Sequence, residues 1–242
     1  MSKGSLRRTQ IIETAERLFC KNGYEQTSVQ DVIDAIGYSK GGFYHHFDSK
    51  IALLDAICEA RSVKTRETVE AAVKAANQNP VDRLNAFFEA SGMFQEDSLD
   101  YISLLLRVAY RGDASLMRDK LKEYSLMATL PALNEIIMRG ARERVFFVPH
   151  ADLAGEMILR LVAQFADDVA FKLYHLICDV PDAKKSAAAA ASVDEELLPL
   201  LLDKLVLYRH AVERILEAPF GSVQLYNLRS LANIVRALLS KA

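Results

Sequence analysis

Gly37-Tyr38-Ser39-Lys40-Gly41-Gly42-Phe43-Tyr44-His45-His46-Phe47-Asp48-Ser49-Lys50 is the stretch on which the fold turns. Gly37 stops whatever helix precedes it, Ser39 is a residue type that caps a new one, and Phe43 and Phe47, four apart, share one face of that new helix. Gly41 and Gly42 keep part of its surface small, while Lys40, Tyr44 and His45 point away from the phenylalanine face. Such a helix suits the major groove of DNA, which needs small residues where backbones approach and longer polar ones where base edges are read.

Working upstream, Ile11, Ile12, Ala15, Leu18 and Phe19 form the stripe of an amphipathic helix that Asn22-Gly23 ends. Thr27 or Ser28 caps a second short helix, with Gln30 placed to complete a capping box behind Thr27, and Val29, Val32, Ile33 and Ile36 give its buried side. Asp48 or Ser49 opens a fourth helix.

The turn glycine, the small capping residue, the small opening of a short helix, the aromatic pair, the His46-Phe47 dipeptide and the lysine three residues on resemble the recognition segment of the TetR family. Ala15, Leu18-Phe19, Asn22-Gly23-Tyr24, Thr27, Val29, Asp31 and Gly37 fit the same spacing, so the resemblance covers about residues 7–54. Ile33 and Ile36 depart from it, standing where small alanines are frequent. The resemblance implies DNA contacts at Thr27, Ser28, Tyr38, Lys40, Gly41, Tyr44, His45 and Lys50, with Ser39 and Gly42 completing the DNA-facing set. Thr27, Ser28 and Lys50 suit phosphate oxygens, which position a protein on DNA and do not specify sequence. Tyr44 is also open to the reading that it covers a hydrophobic edge, and His46 to a structural or solvent-facing one.

Downstream of Ile51 the apolar periodicity predicts helices over about 51–76, 80–94, 98–110, 114–144, 151–179, 194–218 and 222–241, with Pro131 kinking the longest pattern. The chain therefore reads as all-α, and the resemblance implies a helix-turn-helix DNA-binding domain of three helices over residues 1–50 and a larger helical effector-binding and dimerisation domain over 51–242. Tyr101, Leu105, Val108, Met117, Tyr124 and Met127 are candidates to line an effector cavity, with core packing as the alternative for each. Arg107, Arg111 or Asp168 could orient a polar group, although Asp168 and Lys172 could equally pair at i, i+4. Leu153, Met157, Leu161, Phe165, Leu197, Leu201, Leu205, Tyr208 and Val212 spread over more than one face of their helices. A two-fold four-helix interface would bury that surplus, an internal core is the competing account, and residues 222–241 could share the interface.

Composition limits the alternatives. The 242 residues are 51% hydrophobic and 26% charged, the balance of a folded protein, and the formal net charge is −2. Within residues 1–50 seven cations stand against six carboxylates, so DNA binding requires Lys3, Arg7, Arg8, Lys40 and Lys50 to cluster while most acids face elsewhere. Met1–Gln10 lacks an apolar stretch and no run reaches membrane-spanning length, so a cytoplasmic protein with no membrane partner is expected. Cys20, Cys58 and Cys178 lie far apart and read as buried thiols. No Glu-x-x-His, His-Glu-x-x-His, P-loop or Gly-x-Gly-x-x-Gly is present, so neither catalysis, a metal nor a cofactor is expected. The expected partners are operator double-stranded DNA, an unidentified small-molecule effector and a second copy of the chain.

Overall fold

The computed structural model describes residues 3–91, 106, 115–178 and 197–240, and among them there are helices and no strands. The helices are α1 (Lys3–Asn22), α2 (Val29–Ile36), α3 (Lys40–Tyr44), α4 (Lys50–Ala75), α5 (Pro80–Ser91), α6 (Ser115–Arg142), α7 (Ala151–Cys178), α8 (Leu198–Leu216) and α9 (Leu228–Ser240). The chain packs into two compact units, Met1–Val63 with Leu104–Ser125, and Lys64–Ser103 with Leu126–Ala242.

In the first unit, the stripe on α1 delivers Ile11, Ala15 and Phe19 to a core completed by Val32 and Ile33 of α2, Phe43 of α3, Phe47, and Leu53, Leu54 and Ile57 of α4. Each of the larger of these side chains contributes about 1.5–3 kcal/mol by leaving water. The packing therefore runs past residue 50, because the first turns of α4 bury their leucines in the same core. Arg61 of α4 holds Glu16 of α1 at 2.5 Å, and Lys120 of α6 holds Asp55 of α4 at 2.5 Å. Cys20 and Cys58 are buried free thiols, and burial pushes both up to about 11. They are correspondingly poor nucleophiles.

The second unit has its own core of Leu84, Phe87 and Phe88 from α5, Leu133, Ile136 and Ile137 from α6, Phe165, Val169 and Leu173 from α7, and Leu201, Val212 and Leu216 from α8. Pro131 lies inside α6, where its missing N–H leaves the Met127 carbonyl without its helical donor. Asp168 departs from expectation: it accepts from Lys204 of α8 at 2.6 Å and from Gln164 at 2.9 Å, and Lys172 adds only a field effect. The lysine hydrogen bond is the main reason the Asp168 carboxyl lies below its ordinary range, and the same bond raises Lys204. The final helix also starts later than the periodicity predicts. Residues 217–227 turn through Glu217 (φ 48°), Pro219 and Gly221 (φ 78°), and Asn227 Oδ1 then accepts from Ser230 N to open α9.

Of the apolar residues that spread over several faces, Phe165, Leu197, Leu201, Leu205 and Val212 are buried within this unit. Leu153 and Met157 of α7 are exposed, together with Phe171 of α7 and Leu200, Leu202, Val206 and Leu207 of α8. The internal-core and open-face readings therefore apply to different faces of the same helices. The expected helix over 98–110 lies outside the described residues apart from Leu106, which is helical and buried.

Candidate nucleic-acid interface

Three local devices set the position of α3. The first is the start of α2, where Ser28 is the N-cap: its hydroxyl accepts from Asp31 N, and the Asp31 carboxylate accepts from Ser28 N at 2.7 Å. This is a capping box one residue later than the expected Thr27–Gln30 pair. Gln30 instead donates to Asp34 at 2.7 Å. Thr27 is fully buried and its hydroxyl donates to Gly23 O at 2.7 Å, so it ties the inter-helix turn together and its oxygen does not face solvent. The hydrogen bonds from the Ser28 backbone and side chain lower the Asp31 carboxyl from its ordinary value.

The second device is the turn between α2 and α3. Gly37 sits at φ 68°, ψ 28°, the left-handed region that suits glycine, and both Gly37 N and Tyr38 N donate to Ile33 O. The third is the Ser39 cap, whose hydroxyl accepts from Gly42 N at 3.1 Å. Only the Phe43 side of this short helix is held by the core, with Phe47 6.0 Å away ring to ring.

The remaining face of α3 is open. Lys40, Gly41 and His45 are exposed, and Tyr44 is 43% exposed with its ring edge-on to Phe43. A Cβ at Gly41 would meet nothing within 4 Å, so the chain's own packing does not require glycine there. At Gly42 a Cβ would meet Ser39 Oγ at 3.2 Å, which makes that glycine part of the cap. His46 is half-buried and stacks edge-on with His45.

The start of α1 borders this face. Arg7 lies 5.7 Å from the centre of the Tyr38 ring, Arg8 lies 5.2 Å from that of Phe47, and Tyr38 donates its hydroxyl to Gln10 at 2.5 Å. Lys50 reaches back over the Tyr24 ring at 4.2 Å and donates to Glu25 O at 3.3 Å. Several acids are engaged elsewhere: Glu16 with Arg61, Asp31 in its capping box, and Asp55 with Lys120. Gln10 was not legible as a site residue, although its i, i+3 spacing from Arg7 puts both on one face of α1.

Residues 11–57 match the family described as bacterial regulatory proteins, tetR family. Among curated relatives, the uncharacterised HTH-type transcriptional regulator YerO of Bacillus subtilis is 36% identical over 103 residues, 41% of this chain and 35% of that protein. The HTH-type transcriptional repressor KstR2 of Rhodococcus jostii is 30% identical over 105 residues, 38% of this chain and 50% of that protein. The matched stretches thus span half or less of these relatives. Across most of the chain the fold is similar to that of the transcriptional regulator FadR from Bacillus subtilis, solved in complex with stearoyl-CoA. The TM-score is 0.53 at 19% identity, covering 80% of this chain and 96% of FadR.

The expected effector-cavity residues fall in different surroundings. Tyr101, Leu105 and Val108 lie outside the described residues. Met117 is buried in the first unit, Tyr124 donates its hydroxyl to Asp55 at 3.3 Å in that same unit, and Met127, in the second, is 63% exposed.

Proposed function

We propose that this protein is a sequence-specific transcriptional regulator that binds operator DNA as a homodimer. On the tetR family's pattern it acts as a repressor released by a small-molecule effector. The observation that carries the reading is the capped α3 with an open polar face. Phe43 fixes the helix from behind, and the bare Gly41 position lets a duplex backbone approach. Lys40, Tyr44 and His45 read or touch the groove. Ser28, Tyr38 and Lys50 contact phosphates, and Arg7 and Arg8 add charge beside them. Thr27 serves as a strut behind Ser28.

The exposed apolar face of α7 and α8 forms the two-fold interface. A dimer of this kind presents two recognition helices about 34–36 Å apart, one turn of DNA. The effector acts in the second unit by favouring a dimer conformation whose helix spacing does not fit successive grooves. Binding of stearoyl-CoA by the fold neighbour FadR supports a small-molecule effector without naming one for this chain.

The test is selection of bound sequences from random duplex DNA with the full-length protein, beside a Tyr44→Ala/Lys50→Ala double variant, at two salt concentrations. A near-palindromic site enriched by the wild type alone, with affinity falling as salt rises, is the expected result. Absence of any enriched sequence overturns the reading.

A further inference from the structure

Within the second unit, two guanidinium groups from different helices converge on one neutral oxygen. Arg83 of α5 donates through Nη2 to Gln78 Oε1 at 2.9 Å, and Arg139 of α6 donates through Nη1 to the same atom at 3.1 Å. Arg139 uses its other edge, Nε, on Glu143 at 2.6 Å. Arg83 Nε, buried, has no hydrogen-bond partner. On a guanidinium Nε–H and one Nη2–H point the same way, forming the fork that grips two oxygens of one oxyanion. The Arg83 fork thus has one prong on an amide oxygen and the other empty.

An amide oxygen carries no charge to offset two cations, and Gln78 is an exposed residue of the α4–α5 connection, free to swing aside. Arg142 and Arg144 follow Arg139 closely in the chain, with Glu143 between them. Asp82 is occupied with Asn77 Nδ2 at 3.2 Å.

We propose that Arg83 and Arg139 form a receptor for a phosphate group, in which Gln78 Oε1 holds the place of one phosphate oxygen. On binding, Gln78 is displaced, two oxygens take the Nε and Nη2 donors of Arg83, and Arg139 Nη1 donates to one of them. The phosphate is either free inorganic phosphate or the phosphomonoester of a small molecule. The site stands on residues of the second unit alone and does not depend on the DNA-binding reading.

Titration calorimetry on the full-length protein tests it, with inorganic phosphate and glycerol phosphate as probes and sodium chloride of equal ionic strength as the control. Saturable binding of a phosphate probe, absent with chloride, is expected. Arg83→Lys keeps the charge but removes the fork, and Arg139→Gln removes the second donor; each weakens binding about tenfold. Glu143→Gln removes the competing carboxylate and tightens it. Binding of both probes assigns a phosphomonoester, and binding of inorganic phosphate alone assigns the free ion. Binding of neither, or binding that Arg83→Lys and Arg139→Gln leave unchanged while the variants keep their wild-type helical circular dichroism, overturns the proposal.

Discussion

The α3 surface and the α7–α8 surface both leave large side chains in water, yet they differ in what lies beneath. On α3 one phenylalanine is buried and everything beyond it is small, aromatic-polar or cationic: Gly41, Tyr44, His45, Lys40. On α7 and α8 an apolar face is already buried against the unit's own core, and a second apolar face, with Leu153, Met157, Phe171 and Leu207, remains outside. The α3 surface keeps its apolar content to the minimum that anchors it. The second face exceeds what its own core needs, and water penalises each exposed leucine there until something covers it. Exposure alone would not separate the two; the residue types do.

That contrast can be broken in several places. Phe43→Ala removes the anchor behind α3 and is expected to cost about 3–5 kcal/mol of stability, read as a lowered midpoint in urea unfolding. A loss under 1 kcal/mol would mean that α3 is not held from behind. Leu207→Asp places a charge on the outer α8 face. It should weaken self-association by about 2–3 kcal/mol in sedimentation equilibrium while leaving helical content unchanged. A variant that dimerises like the wild type would remove α8 from the interface. Tyr44→Ala should leave the unfolding midpoint near wild type and lower operator affinity by about 1–2 kcal/mol in a fluorescence anisotropy titration. The reverse pattern would reassign Tyr44 to covering the core edge.

The smallest expected effect concerns Asp168 and Lys204. Asp168 has a lowered folded pKa, so its contribution is present above the ordinary carboxylate value of about 4 and fades as pH falls through the lower folded value. Lys204 has a raised one, so its share is present below its ordinary value and fades as pH rises through the folded value. Thermal unfolding from pH 3 to 11 should therefore lose a wild-type advantage over Asp168→Asn at the acid end. An advantage that stays constant with pH would show that the pair is not ionic in effect.

How much could be read in advance followed the range of each interaction. The Phe43–Phe47 pair, the Ser39 cap and the Gly37 stop are set by residues within four or five positions, and all three stand in the structure as the sequence predicts. The capping box slipped by one residue because Thr27 and Ser28 are both competent caps. The choice between them rests on Gly23 and Leu18, whose carbonyls take the Thr27 hydroxyl at 2.7 and 3.4 Å. Asp168 shows the same limit: Lys172 is visible one turn away, whereas Lys204, 36 residues on, is found only once α7 and α8 are packed. The Tyr38–Gln10 bond spans 28 residues and carries no local signature.

The empty space beside Gly41 separates what the fold asks of that residue from what its surface asks. Glycine inside a helix is about 1 kcal/mol worse than alanine, and here no neighbour would object to a methyl group. Stability alone therefore favours alanine at this position. In a helix already weakened by Gly42, Gly41→Ala is therefore a change that the fold itself would favour and that only something approaching this surface from outside would oppose.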